Sequence, residues 1–197
     1  MSNEMSNPPG GGRLVQLRIE VTGGFLVLLA LGGFCLGGRT VAALGLGAAA
    51  HELGHLAALL GQNRLPRVLR LDSGGLCIHY DGGEGRYSGL LCRAAAGPAA
   101  GLLLSAALWR AGAPFLRETA ALSLALSLVN LLPASPLDGG QALRALNAMV
   151  LGLRAADRCA LALDCLCLAL TLALGLCFQP LLLPYGAWLL VRILRRD

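Results

Sequence analysis

Long apolar runs separated by short polar segments dominate this chain. Runs near residues 23–38, 40–60, 89–111, 115–133, 158–178 and 181–194 approach the roughly 20 apolar residues that a helix needs to cross a bilayer. Lipid offers no water to satisfy backbone polar groups, so such segments must be helical. The pattern predicts an all-α polytopic membrane protein with about six transmembrane helices, five being the other count. Two segments follow a different period. Leu17, Ile19 and Val21 alternate with Gln16, Arg18 and Glu20, which suggests a short strand. Arg67 to Tyr80 reads as two short strands around Asp72, Ser73, Gly74 and Gly75, a small β-hairpin insertion between the second and third helices. Residues 1–14, with Pro8, Pro9 and three consecutive glycines, read as a disordered lead-in, and 15–197 as a single membrane domain. No charged segment runs directly into a short apolar core with a small-residue cleavage site, so the first helix is expected to be retained.

Composition agrees with that picture. Of 197 residues, 56% are apolar and 14% charged, and mean hydropathy is +0.67, whereas soluble domains run at about 45–50% apolar and about 25% charged. All sixteen basic residues are arginine. With a cytoplasmic amino terminus, thirteen of them fall inside and only Arg39, Arg110 and Arg117 outside. That is the positive-inside bias for an even number of helices with both termini cytoplasmic, and it accounts for the net charge of +5. No basic patch interleaved with aromatics argues for nucleic acid. The seven cysteines (Cys35, Cys77, Cys92, Cys159, Cys165, Cys167 and Cys177) lack CxxC spacing and are expected to be reduced packing residues. Cys165 and Cys167, two positions apart, point to different helix faces.

In the second apolar run, TVAALGLGAAAHELGHLAALL, the strongly polar side chains of the central part are His51, Glu52 and His55. They form an HExxH motif. Histidines four apart share one helix face and both reach a single zinc ion, while Glu52 is placed to act on a metal-bound water. Zinc brings the pKa of such a water to about 7 and polarises a scissile carbonyl. HExxH is short enough to arise by chance. However, a charged group at the centre of a membrane helix costs at least about 2.5–3.5 kcal/mol and so marks a functional candidate. Gly45, Gly47, Ala48 to Ala50 and Gly54 around the motif would let other helices approach closely.

A catalytic zinc site takes three protein ligands and keeps one open position. The better candidate for the third is Asp138, in NLLPASPLDGGQ from Asn130 to Gln141. There Pro133 and Pro136 end a helix, and Gly139 and Gly140 follow the aspartate. Irregular backbone at membrane depth belongs in a protein-lined or wet cavity. Taken alone, the segment also fits an ordinary helix-terminating loop with a surface aspartate. His79 reads as a strand-surface residue. Asp164, inside the fifth apolar run, is open between a protonated acid, an arginine partner and part of a water path.

Together, HELGH and NLLPASPLDGG resemble the site-2 protease family of intramembrane zinc metalloproteases, whose second motif has the form NxxPxxPLDGG. The resemblance spans roughly residues 40–145, a three-helix catalytic core. It implies His51, His55 and Asp138 as ligands of one zinc ion, Glu52 as the catalytic acid/base and Asn130 as a contact to substrate or to the site's backbone. Gly97 and Pro98 match a further Gly-Pro feature, but Gly101 stands where the family often has asparagine. The short chain resembles the minimal sporulation-type bacterial branch, which activates a membrane-tethered pro-sigma factor. This implies a multi-pass protein of the bacterial cell membrane, in contact with the lipid bilayer, that cleaves a membrane-tethered protein and answers to regulatory membrane proteins. The hairpin at 67–80 would offer a strand edge to an unwound substrate. The alternative is a non-catalytic metal-binding membrane scaffold or transporter. Glu52 discriminates between the two, because only a hydrolase needs a carboxylate beside the ligands to move protons.

Overall fold

The computed structural model describes residues 18–72, 75–80, 86–135, 137–177 and 183–194. The lead-in expected at 1–14, and Ser73 and Gly74 of the hairpin turn, lie outside the described residues. The chain runs β1 (Arg18–Val21), α1 (Gly23–Leu36), α2 (Gly38–Gly61), β2 (Pro66–Asp72), β3 (Gly75–Tyr80), α3 (Tyr87–Leu108), α4 (Pro114–Asn130), α5 (Asp138–Leu151), α6 (Leu153–Cys177) and α7 (Leu183–Leu194).

Backbone chemistry sets the breaks between helices. Gly37 and Gly152 adopt φ of +82° and +83°, a left-handed conformation in which a Cβ would be strained, and they separate α1 from α2 and α5 from α6. Pro114 opens α4, where its missing N–H is one of the unpaired donors of a first turn. Each expected apolar run contains one helix. Of these, α2 and α3 are long and apolar enough to cross a membrane, and α1 is a shorter apolar helix.

The helix at 138–151 lies outside the six apolar runs. The segment begins with Asp138, Gly139 and Gly140, two poor helix formers behind an aspartate, and this hides the helix signal. Its position is set by packing: α5 lies against α3 and α6, while α3 also contacts α2 and α4. At the centre of the molecule α2, α3 and α4 contact one another, and α5 joins them through α3.

The two expected strand regions join. The hairpin β2–β3 is antiparallel, and β1 adds to β2 in parallel, with Ile19 opposite Leu69 and Val21 opposite Leu71, giving the order β1-β2-β3. A parallel pair needs a long crossover, here the α1–α2 helical pair.

Burial is inverted relative to a water-soluble domain. The largest fully buried side chains are Thr119, Asp164, Pro98, Ser123 and Ser127, and the buried apolar residues are almost all alanine. Phe34, Leu103, Val150 and Leu176 instead lie on the outside, at 90%, 71%, 73% and 76% exposure. Small residues inside and large apolar ones outside suit a lipid surround, where close packing rather than hydrophobic expulsion holds helices together. Within that packing the buried hydroxyls are paired: Ser123 donates to the Gly101 carbonyl at 2.9 Å, Ser127 to the Ser123 carbonyl at 2.8 Å and Thr119 to the Phe115 carbonyl at 3.0 Å. At the end of α2 far from its HELGH segment, Glu118 of α4 accepts from Thr40 at 2.6 Å and pairs with Arg39 at 2.9 Å.

Cys35, Cys77, Cys92, Cys159, Cys165 and Cys167 are free thiols. Cys35, Cys77, Cys92 and Cys165 are exposed, so these four do not pack the core as expected, and Cys165 and the half-buried Cys167 do differ in facing. His79 is exposed on β3, as a strand-surface residue should be.

Candidate metal centre

Helical geometry places His51 and His55 on one face of α2, one turn apart, and both turn toward the start of α5. His51 Nε2 lies 3.0 Å from Asp138 Oδ2, His55 Nε2 lies 3.2 Å from the same oxygen, and the two Nε2 atoms are 3.2 Å apart. The three atoms form a nearly equilateral triangle. Metal–ligand bonds of about 2.0–2.1 Å in a tetrahedron place neighbouring ligand atoms about 3.3–3.4 Å apart, so the triangle matches one face of a zinc coordination shell. His51 is 4% and Asp138 8% exposed. Among the described residues, His51 Nδ1 and Asp138 Oδ2 are buried without a well-formed hydrogen bond. Both histidine nitrogens lie at 3.0–3.2 Å from the one carboxylate oxygen, so the three atoms could hold one shared cation. The donor set of two imidazoles and a carboxylate suits zinc.

Several contacts fix these side chains. His55 Nδ1 lies 2.8 Å from the Arg93 carbonyl on α3, the outer hydrogen bond that sets the tautomer and aims Nε2 at the site. That part of α3 is tied back to α2 through Gln62, which donates to the Gly89 carbonyl at 3.0 Å and accepts from Arg93 Nη1 at 2.6 Å. The α3 face opposite His55 is bare: a Cβ on Gly97 would overlap the imidazole ring. Gly54 lets α2 meet α3 in the same way, against Ala96 and Ala100, and Gly47 lies against Ser123 of α4. These agree with the close approach expected of the small residues, whereas a Cβ at Gly45 would meet no described atom within 4 Å.

On the other side, the backbone of Leu131, Leu132, Ala134 and Ser135 lies against the first turn of α5. Side chains at Gly139 and Gly140 would strike the carbonyls of Leu131 and Ala134, which explains the Gly-Gly pair behind the aspartate. Glu52 is half-buried beside His51 and close enough to feel the charges of His55, His51 and Asp138. Asn130 sits at the end of α4 and donates Nδ2 to the Leu126 carbonyl at 2.9 Å.

Sequence reasoning thus placed His51, His55 and Asp138 together, and among the described residues they are the group that could hold a metal ion. It did not find the Gln62–Arg93 clasp or the reason for Gly97. The signal for the clasp was Arg93, an arginine inside the apolar run 89–111, which is buried within α3.

No protein-family model and no curated protein sequence matches the chain. A comparison of folds finds the Site-2 Protease from Methanocaldococcus jannaschii, at a TM-score of 0.67 and 23% sequence identity, over 88% of this chain and 87% of that one. The chain has a site-2 protease fold. At 88% of the chain, the likeness extends beyond the region that carries the two motifs. A site-2 protease fold and a His-His-Asp group that could bind a metal therefore occur in one chain.

Proposed function

We propose that the chain is an intramembrane zinc metalloendopeptidase that cleaves a membrane-tethered or single-span protein. The observation that carries this reading is the convergence of His51 Nε2, half-buried His55 Nε2 and Asp138 Oδ2 within 3.2 Å, beside Glu52, in a molecule with many large apolar side chains on its outside. Zinc held by these three residues would supply an activated water and a polarised carbonyl. Glu52 takes the proton from the attacking water on its carboxylate and returns it to the departing amide nitrogen. The Arg93 carbonyl holds the His55 ring in place through Nδ1, so that Nε2 stays directed at the metal. Burial limits competing water and strengthens the electrostatics of each step.

The orientation follows from the arginines. With both termini cytoplasmic and six helices spanning, α2 enters from outside, and His55 lies six residues before its cytoplasmic end, about 9 Å along the axis. The site then opens toward the cytoplasm. The sheet lies on the same side, and the free edge of β3 offers backbone pairing to a substrate segment unwound from its helix. Asn130 is a contact to that segment. A sporulation-type role on a pro-sigma factor, under control of regulatory membrane proteins, in a bacterial membrane, is the specific form this reading takes.

The test is cleavage of a tethered single-span reporter by wild type and Glu52→Gln, each with its zinc content measured. Cleavage by wild type and its loss in a zinc-loaded Glu52→Gln support the proposal. Zinc in both with equal cleavage refutes the role of Glu52, and zinc without cleavage of any reporter favours a metal-binding scaffold.

A further inference from the structure

Asp164 is 2% exposed in the middle of α6, a helix that contributes no ligand. Its Oδ1 accepts the backbone N–H of Ser135 at 2.7 Å. Ser135 belongs to the loop that delivers Asp138, three residues further on. Buried backbone donors require acceptors, and the amides of this loop find them close by: Leu131 on Ser127, Leu132 on Val129, Ala134 on Leu132 and Leu137 on Ala134. Pro133 and Pro136 have no N–H to place. Ser135, between these two prolines, turns its amide instead to a side chain on another helix. The loop is thereby held on both faces, against Gly139 and Gly140 of α5 and against α6 through the bond from Ser135 to Asp164.

We propose that Asp164 is a positioning residue for the metal centre, fixing the loop that presents Asp138. It acts through the Ser135 amide and touches neither metal nor substrate. This inference rests on the metal reading proposed above, and it answers what an acidic residue does inside an apolar helix.

The test uses the detergent-purified full chain and zinc affinity by competition with a chromophoric chelator, with reporter cleavage alongside. Asp164→Ala is expected to weaken zinc by about tenfold to a hundredfold, as loss of outer-shell support does in other metal sites. Asp164→Asn, which keeps an oxygen acceptor at the same place, is expected to recover most of that loss. If the alanine variant does not fold, Asp164→Leu, which restores the volume without the acceptor, replaces it. Wild-type affinity in the alanine or leucine variant overturns the proposal, and so does an asparagine variant as weak as either. Absence of zinc from folded wild type overturns the metal reading itself, an outcome distinct from equal affinity across the series.

Discussion

A single methyl group at Gly97 should disable the metal centre. Carbon atoms in ordinary contact lie about 3.5–4.0 Å apart, but an alanine Cβ at 97 would lie 2.7 Å from His55 Cδ2 and nearer still to Cε1 and Nε2. The ring or the helix must therefore yield by about 1 Å. The ring has little freedom to move, because Nδ1 is held by the Arg93 carbonyl at 2.8 Å on α3 itself. The helix has little either, because Gly54 already brings α2 against Ala96 and Ala100 of α3. The displaced atom is one of the three proposed metal ligands. Misplacement of a reacting group by about 1 Å costs about a hundredfold in rate, and disturbed ligand support costs about 10–100-fold in metal affinity. Gly97→Ala should show both losses in chelator competition and reporter cleavage. Folding stability should fall by about 1–3 kcal/mol, the usual cost of overpacking, read as a lower unfolding temperature in detergent. Gly45→Ala is the control, since nothing lies within 4 Å of its Cβ position. A Gly97→Ala protein with wild-type zinc affinity and cleavage would refute the packing argument.

Other consequences follow from the same geometry. Glu52→Gln should bind zinc as wild type does and lose cleavage by about 10²–10⁴-fold, the usual contribution of general acid–base catalysis; full activity would remove Glu52 from the mechanism. Replacing Arg67 to Tyr80 with a flexible linker should abolish reporter cleavage while leaving zinc bound, and unchanged cleavage would eliminate delivery along the strand edge. Cys77, exposed on β3, kept as the single cysteine, should react with a membrane-impermeant maleimide only when the cytoplasmic face is open. Labelling in intact cells would reverse the proposed orientation.

How far the sequence could be read depended on whether each signal was local. His51, Glu52 and His55 stood out because three polar side chains within one apolar run need a reason to be there. Asp138 stood out less, since a loop with prolines and glycines explains an aspartate without any metal. Its partnership with the histidines became visible in the positions of Nε2 and Oδ2, and in the carbonyls of Leu131 and Ala134 that demand glycine behind it. The α5 helix was missed because its first turn carries two glycines, and its existence depends on the surfaces of α3 and α6. The alternation at 17–21 announced a strand, yet the parallel pairing of Ile19 with Leu69 is set by how α1 and α2 return the chain. Asp164 was conspicuous in the sequence. Its partner, a backbone amide 29 residues away, carries no sequence signature.

The central claim is that His51, His55 and Asp138 hold one zinc ion. It is tested most directly by the metal content of detergent-purified, monodisperse wild type and Asp138→Ala. The account predicts about one zinc per wild-type chain, as for a single three-ligand catalytic site, and a marked loss in the variant. Folded wild-type protein without zinc, or an Asp138→Ala protein that retains it fully, would contradict the account.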